Sequence, residues 1–220
     1  MSSTDWLHRY LESLAAINAP VLECLLPPAS ESEIQVLAQE TGLSIPSSLR
    51  AFWQRVGGIQ QGLTYHNAAF AGYLFAPVSV QESLEDFRLA EQLRRENPME
   101  DQEFADQFWP AGMIKFAGED SNGFWVNCRP ESPTFESVYV RFVNSDPLLR
   151  WSTNINALFK TLCAAVAEGT IRVAGETDAD WDAGSLATDE TALDVLAKKM
   201  NPGCAAHDDE SAVHAIPDWN

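Results

Sequence analysis

The chain has 220 residues, 45% of them hydrophobic and 21% charged, which is enough apolar material for one ordinary core or two small ones. Acidic residues outnumber basic ones 32 to 14, a formal charge of −18 with a pI near 4.4, and this argues against a protein that holds nucleic acid through its phosphates. No stretch approaches the roughly 18 apolar residues of a spanning helix, the start of the chain lacks the basic and apolar regions of a secretory signal, and four scattered cysteines form no disulfide framework, so a soluble cytoplasmic protein without membrane contact is expected.

Trp6, Leu7, Tyr10, Leu11 and Leu14 recur at helical spacing and predict an amphipathic helix over about residues 5–17, ending before Pro20. Ser30 and Glu33 form the S-x-x-E of a capping box, followed by Ile34, Leu37 and Ala38 on one face and Gly42 as the stop. Pro46 suits a first helical turn, and Leu49, Phe52, Trp53 and Val56 give the buried face of a third helix closed by Gly57-Gly58. Two short strands are expected around Leu63–Tyr65 and Tyr73–Phe75. Ser79 and Glu82 repeat the capping box and open a helix that reaches Arg94 and Arg95, cations placed at the negative end of the helix dipole.

Met113–Ala117, a polar turn from Gly118 to Gly123, Phe124–Cys128 and then Ser137–Val143 read as three consecutive antiparallel strands, with Leu148–Trp151 as a brief fourth. Ile155, Leu158, Phe159, Leu162 and Val166 mark a helix that Gly169 should end. The expected fold class is α+β, a mainly antiparallel sheet from the segments near 73, 114, 125 and 140 with helices packed on it. Leu49, Phe52, Trp53, Phe142, Leu158 and Leu162 are the expected core. Residues 1–169 form this body and 170–220 an acidic C-terminal extension, which holds one helix over about 188–200 with Asp189 and Glu190 at its start and Lys198 and Lys199 at its end.

The charge is unevenly placed. Glu82–Asp106 holds nine acids against three bases and Glu168–Asn220 twelve against three, so the two blocks account for −15 of the −18. Asp178, Asp180 and Asp182 alternate like the start of an EF-hand loop, with Asp189 at the twelfth position, but Ala183 stands where the sharp turn needs glycine, and a solvated acidic loop pinned by Trp181 is the better reading. Cys204, His207, Asp208 and His214 match no closed zinc spacing. His8 and His66 have no serine or cysteine in a nucleophile setting, there is no glycine-rich phosphate cradle, and the adjacent Glu119 and Asp120 of a turn are poorly placed for paired acid and base work. No catalytic residue, metal or cofactor is expected.

The segments Leu26–Ile34 (LPPASESEI) and Gly42–Trp53 (GLSIPSSLRAFW) resemble the SUKH superfamily, in particular the branch named after the yeast cell-wall assembly regulator of the SMI/KNR type. The second segment is similar to its G-x-x-L-P-x-x-[LY]-x-x-F signature. Gly57-Gly58 stands where that family places N-G-G, with Val56 in place of the asparagine, and the strands around Phe116–Cys128 and the helix of Trp151–Val166 follow in the same order. The resemblance covers about residues 5–169 and leaves the tail outside it. It implies an α+β fold without catalytic residues, found in bacterial immunity proteins that bind and neutralise toxin domains, often nucleases, and also in regulatory proteins.

Charge and resemblance converge on a protein partner. A nuclease presents a cationic cleft to its substrate, and an acidic protein can be steered to it and occlude it. The expected function is an immunity protein for a basic toxin domain. The alternative is an intracellular regulatory or scaffolding module without a toxin partner, and an enzyme ranks third. Candidate partner-binding residues are Glu119, Asp120, Asn122 and Trp125 around the central turn, with Asp178, Asp180, Trp181 and Asp182 in the acidic extension.

Overall fold

Most of the described α-helices begin where a side chain caps them. A computed structural model describes residues 5–63, 68–96, 111–142, 148–178 and 181–204. In it, α1 (Trp6–Ala16) starts where the Asp5 carboxylate accepts the His8 N–H at 3.1 Å. A 3₁₀ turn, Pro20–Cys24, leads to α2 (Glu31–Thr41). Its capping box is complete, since Ser30 Oγ accepts the Glu33 N–H and the Glu33 carboxylate accepts the Ser30 N–H at 2.7 Å. After α3 (Ser47–Trp53), α4 (Val80–Glu96) repeats the box through Ser79 and Glu82.

Gly57 and Gly58 are needed for close approach. A Cβ on Gly57 would overlap the Pro27 carbonyl oxygen, and one on Gly58 would lie 2.9 Å from the Cβ of Ser79. The chain after α3 is therefore laced between the entries to α2 and α4, with Leu26 N–H donating to Gly58 O at 2.9 Å.

Strands β1 (Ala76–Pro77), β2 (Met113–Glu119), β3 (Asn122–Asn127), β4 (Val138–Arg141) and β5 (Leu149–Ser152) form one antiparallel sheet in chain order. This is the α+β architecture with a mainly antiparallel sheet that the sequence predicts. Pro77 is tolerated because β1 is an edge strand.

The strand expected at Tyr73–Phe75 is instead a tight turn. Tyr73 and Leu74 take φ of 52° and 63°, and Phe75 O accepts both the Phe70 and Ala71 N–H groups. A tertiary contact overrides β propensity here, because the buried Tyr73 hydroxyl donates to Asp194 and accepts the Trp151 indole N–H at 3.2 Å. The strand expected at Leu63–Tyr65 lies outside the described residues beyond Leu63.

α5 (Ile155–Ala167) is capped by Asn154, whose side chain accepts the Ala157 N–H at 2.8 Å. Beyond it, β6 (Ile171–Val173) and β7 (Leu186–Thr188) make a separate antiparallel pair that the sequence did not reveal. α6 (Glu190–Met200) follows, capped by Asp189. It docks through Tyr73 to Asp194 and through Asn201 Nδ2 to Thr161 at 3.0 Å, and Leu193 lies so close to Gly72 that a Cβ there would meet it at 2.8 Å.

One face of the sheet carries the main core. Phe52 of α3 meets Phe116 of β2 edge to face at 5.2 Å and stacks on Phe159 of α5 at 5.9 Å, while Phe124 meets Trp151 at 5.5 Å. Leu49, Trp53, Leu158 and Leu162 are fully buried in the same cluster, as are Ile171 and Leu193 from the segment after Gly169. Phe142 is only partly buried, packed edge to face on Tyr73 at 4.5 Å. Among the described residues no helix is long and apolar enough to cross a membrane.

Candidate functional site

The opposite face of the sheet is built differently. Met113, Trp125, Tyr139 and Leu148 form a small buried cluster, and between them two cations are buried, Lys115 and Arg141, 4% and 3% exposed. Alternation on β2, β3 and β4 places Met113, Lys115, Trp125, Tyr139 and Arg141 on one side, and Leu148, just before β5, joins them. Lys115 Nζ lies 5.2 Å and Arg141 Cζ 4.9 Å from the centre of the Trp125 ring, so the indole is in contact with both charges.

These cations hold the turn between β2 and β3. Gly118 and Gly123 face one another across the strands with φ of 153° and 149°, and a Cβ on either would overlap a backbone oxygen of the other strand. The space they leave is filled by Lys115, whose Cε would be 2.7 Å from a Cβ on Gly118. Its ammonium thereby reaches under the turn and donates to the Asp120 carbonyl, and Arg141 Nε donates to the Ser121 carbonyl at 3.0 Å. Asp120 takes φ 45°, a conformation that aspartate tolerates better than most residues.

Asp86 of α4 completes the arrangement. Its carboxylate is 3.9 Å from Lys115 Nζ and is hydrogen-bonded by Trp125. Burial raises the Asp86 pKa, with Lys115 as the main opposing influence, and burial lowers that of Lys115, with Asp86 opposing. α4 is fastened beside it, since Ser83 Oγ donates to Lys115 O at 2.6 Å. A second polar network stiffens the next loop: Asn127 Nδ2 donates to Ser132 Oγ at 2.8 Å and Thr134 Oγ1 at 3.1 Å, and Tyr139 donates to Thr134 at 2.7 Å.

The candidate residues thus fall into three roles. Glu119, Asp120 and Asn122 sit together on a backbone pinned from beneath, and Asn122 Oδ1 is buried without a hydrogen-bond partner among the described residues. Trp125 is 5% exposed, so it supports the turn and offers no open face to a partner. Asp178, Trp181 and Asp182 lie in the loop between β6 and β7, on a different sheet. There the Asp178 carboxylate is engaged by both Arg172 Nη atoms, at 2.7 and 3.0 Å, and by the Gly175 N–H at 2.7 Å. Those bonds are those of a loop brace. Asp182 is exposed and Trp181 half-buried, while Asp180 lies outside the described residues. The supporting cations Lys115 and Arg141 were missed, although paired glycines flanking a polar turn, with a lysine inside an apolar strand, are the signal that points to them.

A polar hairpin turn held from beneath on an antiparallel sheet, with helices packed on the sheet's other face, defines a domain of the α+β class. The match of residues 28–161 to the SMI1 / KNR4 family model (SUKH-1) identifies it further: the chain belongs to this family. Domains of this family are generally non-catalytic protein-interaction modules, and membership supports that coarse reading. No curated protein matches the chain.

Proposed function

We propose that the chain is an immunity protein that neutralises a cognate bacterial toxin domain, a nuclease or another enzyme with a cationic cleft, by placing the turn Glu119–Asn122 in that cleft. The observation that carries this reading is the pair of buried cations bonded to the Asp120 and Ser121 carbonyls, which fix an acidic turn before any partner arrives. A preorganised loop avoids much of the ordering cost of association. The net charge of −18 adds attraction toward a basic surface. Asp182 and Trp181, with Asp178 and Asp180, form a second contact region in this reading.

The test is co-expression with the product of a neighbouring gene for a secreted protein with a toxic C-terminal domain, read by pull-down and growth rescue. The wild-type chain should rescue growth, and Glu119→Lys with Asp120→Lys should weaken toxin binding by at least about tenfold while the chain still folds. Binding indifferent to both the charge reversal and ionic strength refutes this account. Recovery of a host protein in place of any toxin supports the regulatory module.

A further inference from the structure

α2 and α4 lie side by side and leave a groove of about 390 Å³ between them, walled by Ser32, Glu33 and Val36 on one side and Val80, Leu84 and Glu85 on the other. Its size lies at the lower end of the roughly 300–1,000 Å³ typical of binding clefts. Val80 and Leu84 form a buried floor, but Val36 is 47% exposed, and Leu89, one turn past Glu85 on α4, is 55% exposed. Among the described residues only one other large hydrophobic side chain, Val195, is exposed to this degree. Of the three, Val36 lines the groove and Leu89 lies next to the lining residue Arg88.

The rim is acidic. Glu33 and Glu85 line it, and Arg88, the one cation lining it among the described residues, is neutralised by its ion pair with Glu40. Glu33 accepts from Ser30, and Glu85 accepts Gln81 Nε2 at 3.0 Å, yet both carboxylates keep lone pairs turned to solvent. Along α4 the groove runs from Val80 to Arg88, eight residues and about 12 Å at about 1.5 Å per residue, or roughly two helical turns.

We infer that this groove is a docking site for a cationic amphipathic helix of the protein partner, whose apolar face covers Val36, Val80 and Leu84 and whose lysines or arginines meet Glu33 and Glu85. The inference builds on the partner-binding reading and names an element of the partner. Both walls are helices with internally paired backbones, so strand addition is excluded and side-chain insertion from a helix is the mode that fits. A second copy of this face would oppose carboxylates to carboxylates, and an anionic lipid surface would be repelled by the same rim.

The experiment titrates the full chain, carbon-13 labelled at Val and Leu methyls, with a synthetic peptide of about 14 residues carrying Leu at i, i+3, i+4 and i+7 and Lys elsewhere, at near-physiological salt. Methyl shifts centred on Val36, Val80, Leu84 and Leu89 are expected. Val36→Asp and Glu85→Lys, both surface changes, should each weaken binding by about tenfold, whereas Glu119→Lys with Asp120→Lys should leave it unchanged. Shifts centred elsewhere, no saturation by about 1 mM peptide, or wild-type affinity in Val36→Asp overturns the inference. Against the authentic toxin, full affinity in Val36→Asp alongside loss in the turn variant overturns the groove and leaves the immunity reading standing. Absence of any toxin partner refutes that reading and leaves the peptide result intact.

Discussion

Lys115→Met is the most informative single change at the turn, because its effects on stability and on local order should separate. The ammonium is nearly inaccessible, with its side chain 5% exposed. Methionine removes a charge-assisted hydrogen bond to Asp120 O, worth about 1.5–3 kcal/mol, and the contact with Trp125, about 0.5–2 kcal/mol. It also removes the several kcal/mol that burying an ammonium costs, which burial's lowering of the Lys115 pKa reports. These two nearly cancel, the unpaired Asp86 carboxylate adds a loss, and the net destabilisation is expected to be about 1–3 kcal/mol. The turn, in contrast, loses its lower support, so the amides of Ser121 and Asn122 should exchange faster. A pH signature accompanies this. Burial already raises Asp86 above its ordinary 3.8, and losing Lys115 removes the main influence holding it down. A raised folded pKa means that the native state holds the extra proton, so stability falls as pH rises from 3.8 through the folded value. The deficit of the variant against wild type should be smallest near about pH 4 and grow toward neutrality in urea titrations. A loss above about 3 kcal/mol, or unchanged exchange at the turn, refutes the reasoning.

Gly57→Ala should cost more than about 3 kcal/mol or prevent folding, because its Cβ would overlap Pro27 O, whereas Gly42→Ala, with φ 68° and open space around it, should cost about 1 kcal/mol. Urea midpoints compare the two. Ser30→Ala should cost about 1 kcal/mol in the same assay. The Ser30 bonds hold the Glu33 carboxyl below its ordinary 4.5, so the stability they add is present above that value and is lost as pH falls through the folded pKa; the difference between Ser30→Ala and wild type should shrink in acid. Tyr73→Phe leaves the buried Asp194 without its hydroxyl donor and should cost about 2 kcal/mol, with hydrogen exchange increasing first in α6.

Helices were legible because their signals are local. Ser30 with Glu33 and Ser79 with Glu82 state the starts, and the periodicity of Leu49, Phe52 and Leu158 states the buried faces. What escaped was set by distant partners. Tyr73 and Leu74 carry strand-forming residue types, but a hydroxyl bond 121 residues away sets their backbone. β6 and β7 are three residues each, too short for alternation to register. At the turn, the carboxylates and Asn122 were readable as an exposed polar hairpin, while Trp125 could face either way, and only the packing of α4 against β2 shows it enclosed.

The buried cations also change what the acidic turn does electrically. Glu119 and Asp120 project from a backbone under which Lys115 and Arg141 lie, with Asp86 close to Lys115, so over a Debye length of about 8 Å much of the local charge is cancelled. Long-range attraction toward a basic partner must therefore come chiefly from the two acidic blocks that hold −15 of the charge, which the turn does not belong to. Reversing Glu119 and Asp120 shifts the whole chain only from −18 to −14, a small change in the far field. At contact the position is different, because desolvation by the partner strengthens each carboxylate's pairing and the pinned backbone keeps both in place. The affinity lost in the turn variant should consequently appear mostly as faster dissociation, while charge reversals spread over the Glu82–Asp106 block should act mostly on association and on its salt dependence.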